Sequence, residues 1–190
     1  MAMGTKRAFQ NMKSHGILFL LGLILIAGCR TRVPDVVTNF DPITGQRTDL
    51  LSGNELESPQ QPPREVVWLN ADRLAADAWN RQTKLYLQVD YMAKAETGFL
   101  EIPVGTTLIL TVDGREMKLT GNGSFNKRNS REKGFVNETA LYQISRMDFS
   151  KIANAKTVKV QIRGNKGIVE RDFSPENFKR FQEFLSRTRV

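Results

Sequence analysis

Between Leu108 and Thr120 the chain alternates apolar and polar residues on both sides of Asp113-Gly114, and this stretch restricts the possible folds more than any other. A two-residue type I′ turn requires positive φ at both central positions, which an Asp-Gly pair accepts. Pairing outward from that turn sets Leu110 against Met117 and Leu108 against Leu119 on one face, with Ile109 against Lys118 and Thr111 against Glu116 on the other. A slip of one residue would turn every side chain to the wrong face, so a register that sorts both faces at once predicts an antiparallel, half-buried hairpin.

The same alternation recurs elsewhere. Thr83 to Ala93 places Leu85, Leu87, Val89 and Tyr91 on one face and Lys84, Tyr86, Gln88 and Asp90 on the other, as in a strand with one face on a core. Short strands are also expected at Glu65 to Leu69 and Thr139 to Ser145. A second hairpin joins Thr157–Arg163 to Gly167–Phe173 through Gly164-Asn165-Lys166-Gly167, with Val169 facing Ile162, Phe173 facing Val158 and Arg171, less comfortably, facing Val160. Asn70 is placed to cap a two-turn helix through Leu74, Ala75, Ala78 and Trp79, and Asp148 to cap a helical turn over Phe149 to Asn154.

The strongest helix signal closes the chain. Ser174 can cap, Pro175 suits the first helical position, and Glu176 complements the positive end of the helix dipole. Phe173 and Phe178 have the spacing of a hydrophobic staple. Phe178, Phe181, Phe184 and Leu185 form an apolar stripe, while Lys179, Arg180, Arg187 and Arg189 lie off it. Such a stripe packs on a sheet, although apolar bulk opposite arginine also suits a membrane interface. Seven or eight short strands with a terminal helix predict a mainly β (α+β) fold: an antiparallel β-sandwich or curled sheet with a C-terminal amphipathic helix.

The chemistry open to this domain is limited by two counts. The 190 residues contain one cysteine, Cys29, and one histidine, His15, both ahead of the predicted fold. Ser-His-Asp and Cys-His catalysis, intramolecular disulfides and zinc sites built on His or Cys are therefore excluded from it.

Lys6, Arg7 and Lys13 precede an apolar run from Ile17 to Ala27, the n-region and h-region order of a secretory signal. Eleven helical residues cover roughly half of a ~30 Å hydrocarbon core, so a spanning helix is disfavoured. The run ends in Ile26-Ala27-Gly28-Cys29, which resembles the lipobox of bacterial lipoproteins. That resemblance implies cleavage between Gly28 and Cys29 and acyl chains on Cys29, holding the protein on a membrane at about 0.8 kcal/mol per buried CH2. It covers the first 29 residues alone. Arg30, where an aspartate would favour the inner membrane in diderm members of that family, implies the periplasmic face of the outer membrane. Thr5-Lys6-Arg7-Ala8-Phe9 is only faintly similar to a twin-arginine motif, since lysine replaces the first arginine, and general secretion is preferred.

Three organisational regions follow: a signal at 1–28, a lipidated cysteine with a Pro-rich tether at 29–64, and one β-rich domain at 65–190. Loss of the signal removes three basic and no acidic residues, leaving 25 Lys and Arg against 20 Asp and Glu and lowering the net charge from +8 to +5. A nucleic-acid partner is correspondingly disfavoured. Residues 30–64 hold five of the seven prolines. As a flexible chain they would span on the order of 30 Å, although Phe40, Ile43, Leu50, Leu51 and Leu56 are more apolar than a free linker requires. Asp41-Pro42-Ile43-Thr44-Gly45 suggests a turn within them.

The loop Gly121 to Gly134 carries Lys127, Arg128, Arg131 and Lys133 and exposes Phe125, which suits an anionic headgroup, an anionic polymer such as a polymer phosphate, or an acidic envelope protein. A mobile, solvated loop explains the same residues. No phosphate-binding glycine pattern, cofactor motif or metal cluster is present. Catalysis by paired carboxylates needs no histidine, and Asp90, Glu96, Glu101 and Glu138 lie on or near predicted strands, but nothing in the sequence brings two together. Asn137-Glu138-Thr139 fits the glycosylation acceptor pattern, which carries no information in a bacterial chain. The sequence thus predicts a non-enzymatic, lipid-anchored binding or assembly component without a cofactor, with a carboxylate-dependent envelope hydrolase as the alternative.

Overall fold

The Asp113-Gly114 turn forms, with φ of 46° and 81°, and it joins β5 (Val104–Val112) to β6 (Arg115–Ser124) in the register derived above, Leu110 opposite Met117 and Leu108 opposite Leu119. The structure is a computed structural model, and the residues it describes are 36–60, 63–75, 82–125, 128–129 and 134–187. The expected second hairpin is β9 (Val158–Gly164) with β10 (Gly167–Asp172), Val169 opposite Ile162 and Arg171 opposite Val160. β4 (Lys84–Lys94) buries Leu85, Leu87, Val89 and Tyr91 on its inner face, as its alternation requires.

The remaining strands are β1 (Val36–Phe40), β2 (Arg47–Leu51), β3 (Glu65–Leu74), β7 (Arg128–Asn129) and β8 (Phe135–Ile144). They form one antiparallel sheet in the order β1-β2-β3-β4-β8-β6-β5-β9-β10, with β7 paired to β8. The fold is therefore mainly β, a curled sheet with helices. Its ladder does not close β10 onto β3. Instead residues 54–57 lie in the seam, with one bridge from Glu55 to Trp68 of β3 and another from Glu57 to Asp172 of β10.

Two helices cover the interior. α1 (Arg146–Ala153) buries Phe149 and Ile152, and α2 (Pro175–Arg187) buries Phe181 and Phe184. The Phe149 and Phe181 rings stack at 4.7 Å, and Phe181 meets Phe173 edge-on at 5.3 Å. The staple is present too, with Phe173 and Phe178 rings 5.2 Å apart. Ser174 caps α2: its Oγ accepts the Asn177 N–H, while Asn177 Oδ1 accepts the Ser174 N–H.

Three expectations are corrected. Asn70 does not cap a helix; it lies inside β3, where Val67, Leu69, Ala71 and Arg73 are the buried alternates. The pattern was hidden because its last inward position is a cation, which Asp49 of β2 meets as an ion pair at 3.1 Å rather than an aligned hydrogen bond. Ala78 and Trp79 lie outside the described residues. α1 starts earlier than expected and is capped by Ser145, whose Oγ accepts the Asp148 N–H at 3.0 Å. Asp148 belongs to the first turn, where its carboxylate favours the positive end of the helix.

The third correction concerns the tether. From Val36 onward residues 30–64 are largely taken into the fold, because β2 pairs with β3 through Leu51 opposite Ala71 and Thr48 opposite Leu74. Leu51 and Leu56 are buried, which explains two of the apolar residues a linker would not need. Phe40 and Ile43 flank or occupy the turn at Asp41 and remain exposed.

Candidate functional site

The carboxylates sort into two populations once the strands are paired. Glu138 is on the inner face of β8 and fully buried. One oxygen accepts the Glu101 N–H at 2.9 Å and the other the Ile102 N–H at 2.5 Å. A buried carboxylate needs such donors, since an uncompensated one would be costly. The bonds hold the β4–β5 connection across one end of the curled sheet, with Leu100 and Ile102 buried beneath it. Glu101 takes a φ of 58° to present its amide. Gly164 is required beside it: a Cβ there would lie 2.0 Å from the Leu100 carbonyl oxygen. Tyr91 donates to the Gly98 carbonyl at 3.2 Å from the same end. Burial, reinforced by the Glu65 and Glu138 carboxylates and opposed by Arg171, pushes its phenol up to about 12.

Asp90 points the other way, on the outer face of β4. Its carboxylate accepts from Asn70 Nδ2, Gln88 Nε2 and Thr139 Oγ1, each at 2.7 Å. Since Asp90 is paired with Thr139 and Glu138 with Tyr91, the two acids lie on opposite faces of neighbouring strands and do not share a cleft. Glu96 is exposed, 3.9 Å from Lys94. Of the four acids singled out in the sequence, Glu138 lies against the backbone of Glu101, Asp90 faces the opposite side of the sheet, and Glu96 is exposed beside Lys94.

The acid that sequence reasoning missed is Asp72. It follows Asn70 on the outer face of β3, opposite Tyr86 of β4, which is opposite Gln143 of β8. These residues, with Leu74, Leu141 and Asn122, line a groove of about 450 Å³ across the outer sheet face. Asp72 Oδ1 is buried without a hydrogen-bond partner. Partial burial first, and the Asp90 charge second, push its carboxyl up to about 6. The signal was available in the alternation of Trp68, Asn70 and Asp72 with buried Val67, Leu69 and Ala71, had the segment been read as one strand.

Of the basic loop, Lys127, Arg131 and Lys133 lie outside the described residues, as do Gly28 and Cys29. Arg128 has its backbone in β7, paired with Asn137 of β8, so the expected fourteen-residue loop is shortened by strand pairing. Phe125 is exposed. Among the described residues no three His, Cys, Asp or Glu side chains converge as metal ligands, and no helix is long and apolar enough to cross a membrane. Compared with known proteins, the chain matches no family model, and it is similar to no curated protein and no solved structure.

Proposed function

We propose that this chain is a bacterial lipoprotein, anchored through acyl chains on Cys29, whose β-rich domain acts as a non-enzymatic binding or assembly component of the cell envelope on the periplasmic face of the outer membrane. The observation that carries the choice of binding over hydrolysis is the use made of the carboxylates. Both Glu138 oxygens serve backbone amides on the inner face, and Asp90, which shares the outer face with Asp72, has its carboxylate taken up by three side-chain donors, so Glu138 and Asp90 have structural work. A glycosidase instead needs two carboxyl groups roughly 5–10 Å apart across one cleft.

The fold also begins earlier than a long tether would allow. Cys29 and Val36 are seven residues apart, which limits their separation to about 25 Å. A domain held that near a bilayer meets partners close to the membrane surface. The test is the intact mass of the membrane-extracted protein and of Cys29→Ala, followed by crosslinking in intact cells. Acyl mass lost in the variant, with a defined crosslinked partner, is the expected result. An unacylated Cys29, or turnover of an envelope polymer that disappears on replacing one carboxylate, would overturn the reading.

A further inference from the structure

We infer that the groove across the outer face of β3, β4 and β8 is a binding site for a hydroxyl-rich ligand, a glycan segment, with Asp72 as its principal acceptor. The inference deepens the binding reading above and rests on it for the choice of envelope sugars as ligand.

Asp72 is the group that asks for a ligand. Its Oδ1 is buried without a partner, whereas its neighbour on the same face, Asp90, accepts three hydrogen bonds. An unsatisfied buried polar atom is destabilising in itself and marks a place where another donor belongs. The groove beside it also holds side chains that retain their hydrogen-bonding capacity: Tyr86, Asn122 and Gln143 make no side-chain hydrogen bond to the described residues. Phenol, amide and carboxylate together offer both donors and acceptors, which is the demand of a sugar hydroxyl, itself both.

The rest of the lining narrows the class. Leu74, Leu141 and the Tyr86 ring supply apolar surface for the C–H faces of a pyranose. No Lys or Arg is among the lining residues, and the charged group that is, the Asp72 carboxylate, disfavours a phosphate-rich polymer. A peptide strand adds to an open sheet edge, whereas β3, β4 and β8 are interior strands of this sheet. A volume of about 450 Å³ falls within the usual range for small-molecule sites.

The experiment uses the purified, full mature chain in detergent micelles, titrated with N-acetylglucosamine pentamer, maltopentaose and pentalysine while amide shifts or heats are recorded. Saturable binding of one oligosaccharide with a Kd of about 1 mM or tighter is expected. Asp72→Ala and Tyr86→Ala should each weaken it at least tenfold, and Lys159→Ala on the outer face of β9 should leave it unchanged. Asp72→Asn, which keeps the shape and removes the charge, guards against a folding artefact; it should fold and still weaken binding, because ionised acceptors make the stronger hydrogen bonds. No saturable binding of either sugar, unaltered affinity in the Asp72 and Tyr86 variants, or preference for pentalysine would overturn the inference. Intact mass on the same preparation separates the two readings: an unacylated Cys29 removes the anchor, and absent sugar binding by an acylated protein removes the groove.

Discussion

At the scale of single residues, the two most informative acids behave in opposite ways. Asp72 has a carboxyl raised to about 6 from an ordinary 3.8, so the folded state holds its proton more tightly than the unfolded chain. Stability associated with this group is therefore present at low pH and falls as pH rises from about 4 through 6. Asp72→Asn should raise the melting temperature at pH 7.5, by a free energy on the order of 1 kcal/mol once the full linkage value is reduced for partial solvent screening, and the gain should vanish near pH 4. A melting series across pH on both proteins measures it. If the variant also loses the ligand, the site has the trade-off expected where function opposes stability. Glu138 differs in having both carboxylate oxygens bonded to backbone amides. Glu138→Gln leaves an amide NH2 facing a backbone N–H that it cannot accept, and should cost about 2 kcal/mol, or roughly 4–8 °C for a domain of this size. Glu138 was visible in the sequence as an acid on a strand, but its burial was not, since its partners lie on the β4–β5 connection 36 and 37 residues away.

Elements were legible in proportion to how local their determinants are. The β5–β6 and β9–β10 hairpins had both turn and register written within about 17 residues, and α2 had its cap, proline and staple in consecutive positions. The alternation of β3 breaks at Arg73, which occupies an inward position and is met there by Asp49, 24 residues earlier and paired opposite it. Arg171, the misfit of the second hairpin, has the same explanation: it is buried and paired with Glu65 at 2.7 Å, across the seam from its own hairpin. The turn at Asp113 also does more than the sequence suggested. Its carboxylate accepts the Lys156 and Thr157 N–H groups at 2.9 Å each, clamping the approach to β9. Those bonds hold its carboxyl below the usual range, so its stabilisation is complete above the unfolded value and is lost as pH falls below it. Asp113→Asn keeps a residue that tolerates positive φ and removes the charge. The variant should melt lower than the parent at pH 7, and the two melting temperatures should converge as pH falls below the ordinary carboxylate range. Equal melting temperatures at pH 7 would mean that the turn, and not the clamp, is what Asp113 provides.

For the whole molecule, the decisive feature is the seam between β3 and β10. Residues 54–57 bridge it, and α2 straps them down: Asn177 Nδ2 donates to Asn54 Oδ1 at 2.9 Å and to the Glu55 carbonyl at 2.8 Å, while Arg180 reaches the Ser52 and Gly53 carbonyls. Leu56 enters the core between the two edges, and Val36 of β1 and Leu51 of β2 add to it. Composition could not disclose this, because prolines and turn residues mark the segment as a linker while its contacts, such as Asn54 to Asn177, span 123 residues. A boundary at residue 65 therefore cuts through the fold. A chain beginning at Glu65 loses Val36, Leu51 and Leu56 from the core, each worth about 1.5–3 kcal/mol, and loses Asp49, the ion-pair partner of Arg73. Those three side chains together amount to roughly 5–9 kcal/mol, a large share of the 5–15 kcal/mol net stability usual for a domain. Such a chain should show no cooperative thermal transition, whereas one beginning at Arg30 should melt in a single step. A cooperative transition in the shorter chain, with near-ultraviolet circular dichroism equal to that of the longer one, would mean that β1, β2 and the seam segment are accessories and that the rest of the sheet folds without them.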